Sequence, residues 1–321
     1  MRSRTAFTGN IYGIVLVMLL GLSLIAATDK KPAEFDFKKT SAYTRELETR
    51  PDFPVSAILA RNYVYSVLSL DGKIDGKMKQ KTIDYLRNLQ RQDGGFSVDS
   101  IIMETSSQNT DFAFETLSLL NALGSVDAGT VKTYLSSLQR SDGGFALDSK
   151  TKESSLVTTY YAVHVLSFVN GLNTLDKARV AAYIRGFEKK DSGGFSYVKG
   201  GGVSSPKNTY MAVFVLKTLG MLDEETKKNA VRFLVSTPYG GKPAKYDVTQ
   251  TLEEQAYTIM TLKIAGAENR INKKEAVKFI KGFYIPVNGG FGPMQGYGTA
   301  PDPTYFGVLS LAELGVLKNP R

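Results

Sequence analysis

The 321 residues include no cysteine, no tryptophan and one histidine, His164. Without cysteine there are no disulfides, no thiolate nucleophile and no zinc site that needs sulfur. A lone histidine excludes a multi-histidine metal centre. Charge of one sign is never concentrated. The net charge is +9, yet lysines and arginines are scattered among acids along most of the chain. No Arg-rich run or nucleic-acid motif occurs, which argues against nucleic acid as a partner. The positive balance reads as a solvated surface, compatible with anionic membranes. Also absent are an Asn-x-Ser/Thr sequon and a Gly-Lys-Ser/Thr phosphate loop, so Gly200-Gly201-Gly202 reads as a flexible connection.

What is present starts at the N-terminus. Arg2 and Arg4 precede an uncharged, mostly apolar run from Ala6 to Ala27, followed by Thr28-Asp29-Lys30-Lys31. A positive region, an apolar region and small residues before polar ones fit a secretory signal. The run is also nearly long enough for an uncleaved membrane anchor. Residues 1–28 are therefore expected to export or tether the protein, placing it outside the cytoplasm. Residues 29–54 read as a charged linker between Pro32 and Pro51, with one short helix over 40–48.

The body, 55–321, repeats. Tyr85-Leu86 leads to Gln90-Arg91-Gln92-Asp93-Gly94-Gly95-Phe96, and Tyr134-Leu135 leads to Gln139-Arg140-Ser141-Asp142-Gly143-Gly144-Phe145. Further copies end at Gly193-Gly194-Phe195, Gly240-Gly241 and Gly289-Gly290-Phe291, so the first glycines lie 49, 50, 47 and 49 residues apart. Such a period marks a repeat architecture. Each repeat holds one segment that is apolar nearly all round, as in Thr159–Phe168, and one amphipathic segment, as in Val131–Leu138. The first predicts a buried helix and the second a helix with a wet face. Concentric rings satisfy both, with inner helices around a cavity and outer helices facing water. Six inner helices start near Leu59, Asp111, Thr158, Asn208, Glu253 and Pro303. Five outer helices follow them, and the 40–48 segment would supply a sixth to close the ring.

Gln-x-x-Asp-Gly-Gly-Phe after a Tyr-Leu helix, at this spacing, resembles the protein prenyltransferase β subunits and the wider terpenoid-cyclase group. Leu262-Lys263-Ile264-Ala265-Gly266 and Tyr305–Leu311 look particularly similar to the type-II geranylgeranyl transferase β subunit. The resemblance covers roughly 55–321 and implies an all-α fold, an α/α toroid. It also implies zinc bound by an Asp-x-Cys pair and a later histidine, but those positions fall on Thr251, Glu253 and Pro303 (Tyr305 if the register slips). A diphosphate-binding histidine would fall near Ser205, and of the basic residues only Lys245 matches, another falling on Val248. The Asp-x-Asp-Asp acid motif of squalene-type cyclases and the Cys-Gly-x-Gln thioester motif are missing. The resemblance thus carries the fold, and speaks against zinc-dependent protein prenylation.

Aligning the inner helices on their Leu-Gly ends puts Asp111, Thr158, Lys207, Glu253 and Asp302 in one column at a rim of the cavity. Asp111, Glu253 and Asp302 would form a carboxylate cluster for acid/base work or a divalent cation. As helix-start residues they would instead serve as caps. His164 is a candidate base or a hydrogen-bonded core residue. Tyr160, Tyr161, Tyr210 and Tyr305 would line the cavity, while Lys242 and Lys245 would hold an anion or simply be solvated. No cofactor is predicted. Three functions are expected in order: binding of an apolar or isoprenoid chain, or a peptide, in the cavity; a divergent prenyltransferase-like, cyclase-like or polysaccharide-acting enzyme using the rim acids; and a scaffold whose partner subunit covers the outer helices.

Overall fold

The computed structural model describes residues 34–49, 57–72, 74–239, 250–294 and 297–317. The chain divides into Met1–Pro32 and Ala33–Arg321, and every described residue belongs to the second unit. The expected signal or anchor segment thus lies outside the described residues. Among the described residues, no helix is long and apolar enough to cross a membrane.

Among the described residues, twelve α-helices alternate between two rings. The inner ring is α2 (Ala57–Asp71), α4 (Ser107–Leu119), α6 (Leu156–Phe168), α8 (Pro206–Thr218), α10 (Leu252–Ile264) and α12 (Pro301–Glu313). Each packs on the next, and α12 packs back on α2, so the ring closes. The outer ring is α1 (Phe37–Thr49), α3 (Gly76–Leu89), α5 (Ala128–Leu138), α7 (Lys177–Arg185), α9 (Glu224–Ser236) and α11 (Lys273–Lys281). The burial pattern follows the periodicity. On α5, Val131, Tyr134, Leu135 and Leu138 are buried at i, i+3, i+4 and i+7.

Polar side chains start the helices. Ser106, Ser155, Ser205 and Thr251 cap inner helices by accepting the backbone N–H of the residue three positions on. Asp75, Asp127, Asp176, Asp223 and Asn272 do the same for outer helices.

The repeated loop is a packing device. Gly94, Gly143, Gly193 and Gly289 all hold φ between 85° and 94°. Each first glycine presses its backbone against the next outer helix, at Thr130, Arg179, Asn229 and Lys39 respectively. Each second glycine meets an aromatic ring there: Tyr134, Tyr183, Phe233 and Tyr43. Because Lys39 and Tyr43 belong to α1, the N-terminal helix occupies the sixth outer position. Thr40 Oγ1 fixes it by donating to the Gly289 carbonyl at 2.6 Å.

The loop's phenylalanine, Phe96, Phe145, Phe195 or Phe291, is wholly buried. Its N–H donates to a threonine hydroxyl one turn into the following inner helix, as in Phe145 N to Thr159 Oγ1 at 3.0 Å. In two repeats the loop also forms short antiparallel pairs, β1 (Phe96–Ser97) with β2 (Thr105–Ser106) and β3 (Phe145–Ala146) with β4 (Ser154–Ser155). Replacing Thr159 by valine would strand a buried N–H. A loss of about 1–3 kcal/mol is expected in urea unfolding, the desolvation cost of an unpaired buried donor.

Candidate functional site

The threonines that bind the loop phenylalanines set the true register of the inner helices. Thr110, Thr159, Thr209 and Thr304 make equivalent bonds. In that register Lys207, Glu253 and Asp302 share the second helical position, as expected, but Asp111 does not join them. It lies three residues deeper, equivalent to Tyr160, Tyr210 and Tyr305, and it caps nothing. Thr158 is displaced by one. The cause is the helix C-terminus. The left-handed residue is Asn121 after α4 and Asn170 after α6, where Gly72, Gly220, Gly266 and Gly315 serve the others. Asparagine tolerates this conformation. Alignment on Gly124 and Gly171 therefore slips by three and one.

One turn inside the inner ring runs a belt of aromatic rings. Tyr160 meets Tyr161, Tyr210 and Phe214 with centroids 5.6, 6.0 and 5.2 Å away. Tyr210 leans on Tyr257 at 5.1 Å, and Tyr257 on Phe306 at 5.7 Å. Tyr63 stacks on Tyr305 at 5.0 Å, and Phe112 closes on Tyr161 at 5.9 Å. Burial drives the phenols of Tyr160, Tyr257 and Tyr305 far above the ordinary tyrosine value, so they remain neutral donors. The belt lies in the N-terminal half of the ring. Below it, in the C-terminal half, lies a cavity of about 290 Å³. Val67, Leu70, Leu119, Phe168, Val308 and Leu309 form its apolar wall; Glu115, His164, Tyr305 and Glu313 add polar groups. Of the four tyrosines expected to line a cavity, only Tyr305 reaches this one. Tyr160, Tyr161 and Tyr210 form its roof.

The structure brings together two residues that the sequence listed apart. His164 Nδ1 lies 2.8 Å from Asp111 Oδ1, with the Asp111 side chain 3% and the His164 side chain 15% exposed. The contact sets a carboxylate oxygen against an imidazole nitrogen that is cationic when protonated. Burial alone lowers the imidazole, but the adjacent Asp111 carboxylate outweighs it and raises His164. Burial raises Asp111 in turn, against the pull of His164. Both groups are thereby shifted toward their protonated forms. Phe168 and Phe214 flank the imidazole, with centroids 4.8 and 5.1 Å away. One turn along α4 from Asp111, Glu115 accepts from Asn62 Nδ2 at 3.1 Å.

At the rim, Glu253 binds Lys207 Nζ at 2.8 Å. Burial, with the Glu253 charge a lesser contribution, raises Asp302. Asp111, Glu253 and Asp302 are not gathered on one ion. Among the described residues, no three His, Asp or Glu side chains are placed to hold a metal. Lys242 and Lys245 lie outside the described residues. The zinc implied by the resemblance does not fit these residues: Thr251 caps α10 through Glu254 N at 3.2 Å, Glu253 is paired with Lys207, and Pro303 has no donor. Glu254 itself is pushed up to about 7, mainly by burial. Its raised value makes it a source of stability at low pH that is lost as pH rises through 7. Glu254→Gln should therefore gain about 1–3 kcal/mol over the parent at pH 8 and little at pH 5, read by urea unfolding.

The residues missed from sequence are Glu115, Tyr63, Tyr257 and Phe214. A signal existed: Asp111–His164, Asn62–Glu115 and Gln108–Tyr161 are each 53 residues apart, one repeat plus one helical turn.

The sequence matches the prenyltransferase alpha-alpha toroid domain over residues 57–247 and 242–320. The chain belongs to this family. Solved structures of similar fold include protein geranylgeranyltransferase-I of Candida albicans in complex with GGPP. It is 16% identical, with 89% of this chain and 93% of that one covered and a TM-score of 0.74. The type II terpene cyclase MstE of Scytonema is 13% identical, with 87% and 96% covered and a TM-score of 0.59. The ent-copalyl diphosphate synthase of Streptomyces platensis is 17% identical, with 85% and 54% covered and a TM-score of 0.55. Among curated proteins, none matches the sequence. At such identities the likeness carries the toroid and leaves chemistry to this chain's own residues.

Proposed function

We propose that this family member binds an uncharged isoprenoid or similar apolar chain in the cavity beneath the tyrosine belt. The observation that carries this is the cavity itself, about 290 Å³, where Val67, Leu70, Leu119, Phe168, Val308 and Leu309 offer an apolar wall beside the polar groups. That is the lower end of ligand pockets, roughly 300–1,000 Å³, a size for a prenyl chain and not for a folded peptide. Three acids stand in or beside it, each with a partner: Glu313 with Lys263, Asp111 with His164 and Glu115 with Asn62. Export or anchoring by residues 6–27 is part of the same proposal. It would place the protein away from zinc-dependent prenylation of cytosolic proteins. A partner subunit on the outer helices has less support: among the described residues, no exposed large hydrophobic side chain lies on an outer helix.

The test is native mass spectrometry of the full-length protein after incubation with geranylgeraniol or with geranylgeranyl diphosphate. A one-to-one adduct with the alcohol is expected, weakened at least tenfold by Leu70→Trp, which fills the cavity. An adduct with the diphosphate alone, or with neither, would sink the proposal. The same spectrum reads whether residues 1–28 have been removed.

A second reading, an acid–base enzyme acting on that chain, is favoured by the buried Asp111–His164 pair, whose imidazole borders the cavity. In that case the bound alcohol is converted to an isomer of equal mass but different chromatographic retention, and Asp111→Asn abolishes the conversion while the adduct persists.

A further inference from the structure

Eight large hydrophobic side chains are exposed among the described residues, and they are not scattered. Ile101, Ile102 and Met103 lie between β1 and β2; Tyr197, Val198 and Val203 between α7 and α8; Val287 and Tyr297 between α11 and α12. Every one of these connections runs from an outer helix to the start of an inner helix, so all eight belong to the same end of the toroid. Neighbouring connections touch around that end: Ser107 N donates to Leu147 O at 2.8 Å, Lys150 meets Glu104 at 3.4 Å, and Lys199 meets Asp142 at 3.3 Å. Ile101, Val203 and Val287 are 86%, 81% and 81% exposed, values that no packing within the chain explains.

We propose that this end of the toroid rests on a lipid bilayer, with the three loops inserted into its interface. Two observations select a bilayer. First, the described chain begins at this same end. Phe35 packs on Tyr284 and Phe291 with centroids 5.2 and 5.7 Å away, and Asp36 N donates to Tyr284 Oη at 3.3 Å. Phe35, near the start of the described residues, is thus held beside the connection that carries Val287 and Tyr297, and the uncharged run Ala6–Ala27 precedes it in the sequence. Second, the apolar residues stand at separate loop tips around a ring, divided by stretches such as Gly200-Gly201-Gly202. A protein partner is met by a contiguous packed patch, whereas a fluid interface accepts isolated tips to a depth of about 5–10 Å. Basic and acidic side chains in these loops nearly balance, so insertion rests on apolar area and is insensitive to salt. The cavity occupies the opposite half of the ring.

The absence of tryptophan supplies the probe. Single variants Ile101→Trp, Val203→Trp and Tyr297→Trp, with Ser136→Trp on α5 as control, are made in the full-length protein. They are mixed with phosphatidylcholine vesicles, plain or carrying brominated acyl chains, without any isoprenoid. The three loop tryptophans should shift to the blue and be quenched about twofold or more by the brominated lipid, while the control is not. Protein that sediments with vesicles while its loop tryptophans stay unquenched would be held by residues 6–27 alone, and would overturn the proposal. So would a blue shift that grows with protein concentration in the absence of lipid, which would make the surface a contact between copies. Because no cavity ligand is present, neither result bears on the isoprenoid reading.

Discussion

Gly94→Ala should cost the protein about 3 kcal/mol or more, a loss at the severe end for one substitution. Two terms add. The residue sits at φ +94°, outside the range that a side chain adopts easily. A Cβ there would also lie 2.2 Å from the carbonyl oxygen of Thr130, and that oxygen is backbone at the start of α5. It cannot move without shifting the next outer helix. Gly200→Ala separates the terms. Its φ is +66° with nothing within 4 Å of an added Cβ, so it should cost only about 1 kcal/mol. Thermal unfolding followed by circular dichroism measures both. Equal losses at the two positions would mean that the loop does not lock successive repeats together.

His164→Leu should be nearly as damaging, about 3 kcal/mol at pH 8, because it leaves the Asp111 carboxylate buried without its cation. At pH 5 the loss should shrink, since Asp111 then takes up a proton more cheaply. Replacing both residues by leucine should recover much of the stability. The pair also fixes a pH dependence. Both folded values are raised, so the native state holds protons more tightly than the unfolded chain. The histidine contribution is fully present below its unfolded value of about 6.5 and is lost as pH rises through the raised folded value. The aspartate contribution has the same sign, and is lost as pH rises from about 3.9 through its own raised value. Urea unfolding at several pH values should therefore show parent stability falling with pH relative to the double variant. A difference that is flat, or that rises with pH, would contradict the assignment.

Much of the toroid was legible before any coordinates. The glycine pairs gave the period, the alternation of all-apolar and one-sided segments gave two rings, and the 40–48 segment was expected to form the closing helix, observed as Phe37–Thr49. Tyr160 and Tyr210 are expected from the sequence to line the cavity. Their packing against each other was not foreseen, because a ring of tyrosines on five helices reads in sequence as five unrelated residues. The carboxylate column failed for a local reason: two helices end on asparagine where the others end on glycine, and three residues of slip move Asp111 nearly a full turn.

The sequence by itself determined the repeat, the helix pairs, the closed ring and the loss of thiolate zinc chemistry, because these depend on composition and on contacts within one period. Only the tertiary structure decided that Asp111 meets His164, that the belt roofs a small cavity, and that the exposed apolar loops share one end. Those are meetings between repeats. They depend on the register of each helix against its neighbour, and that register is set by the left-handed residue at each helix end, a role that glycine and asparagine both fill.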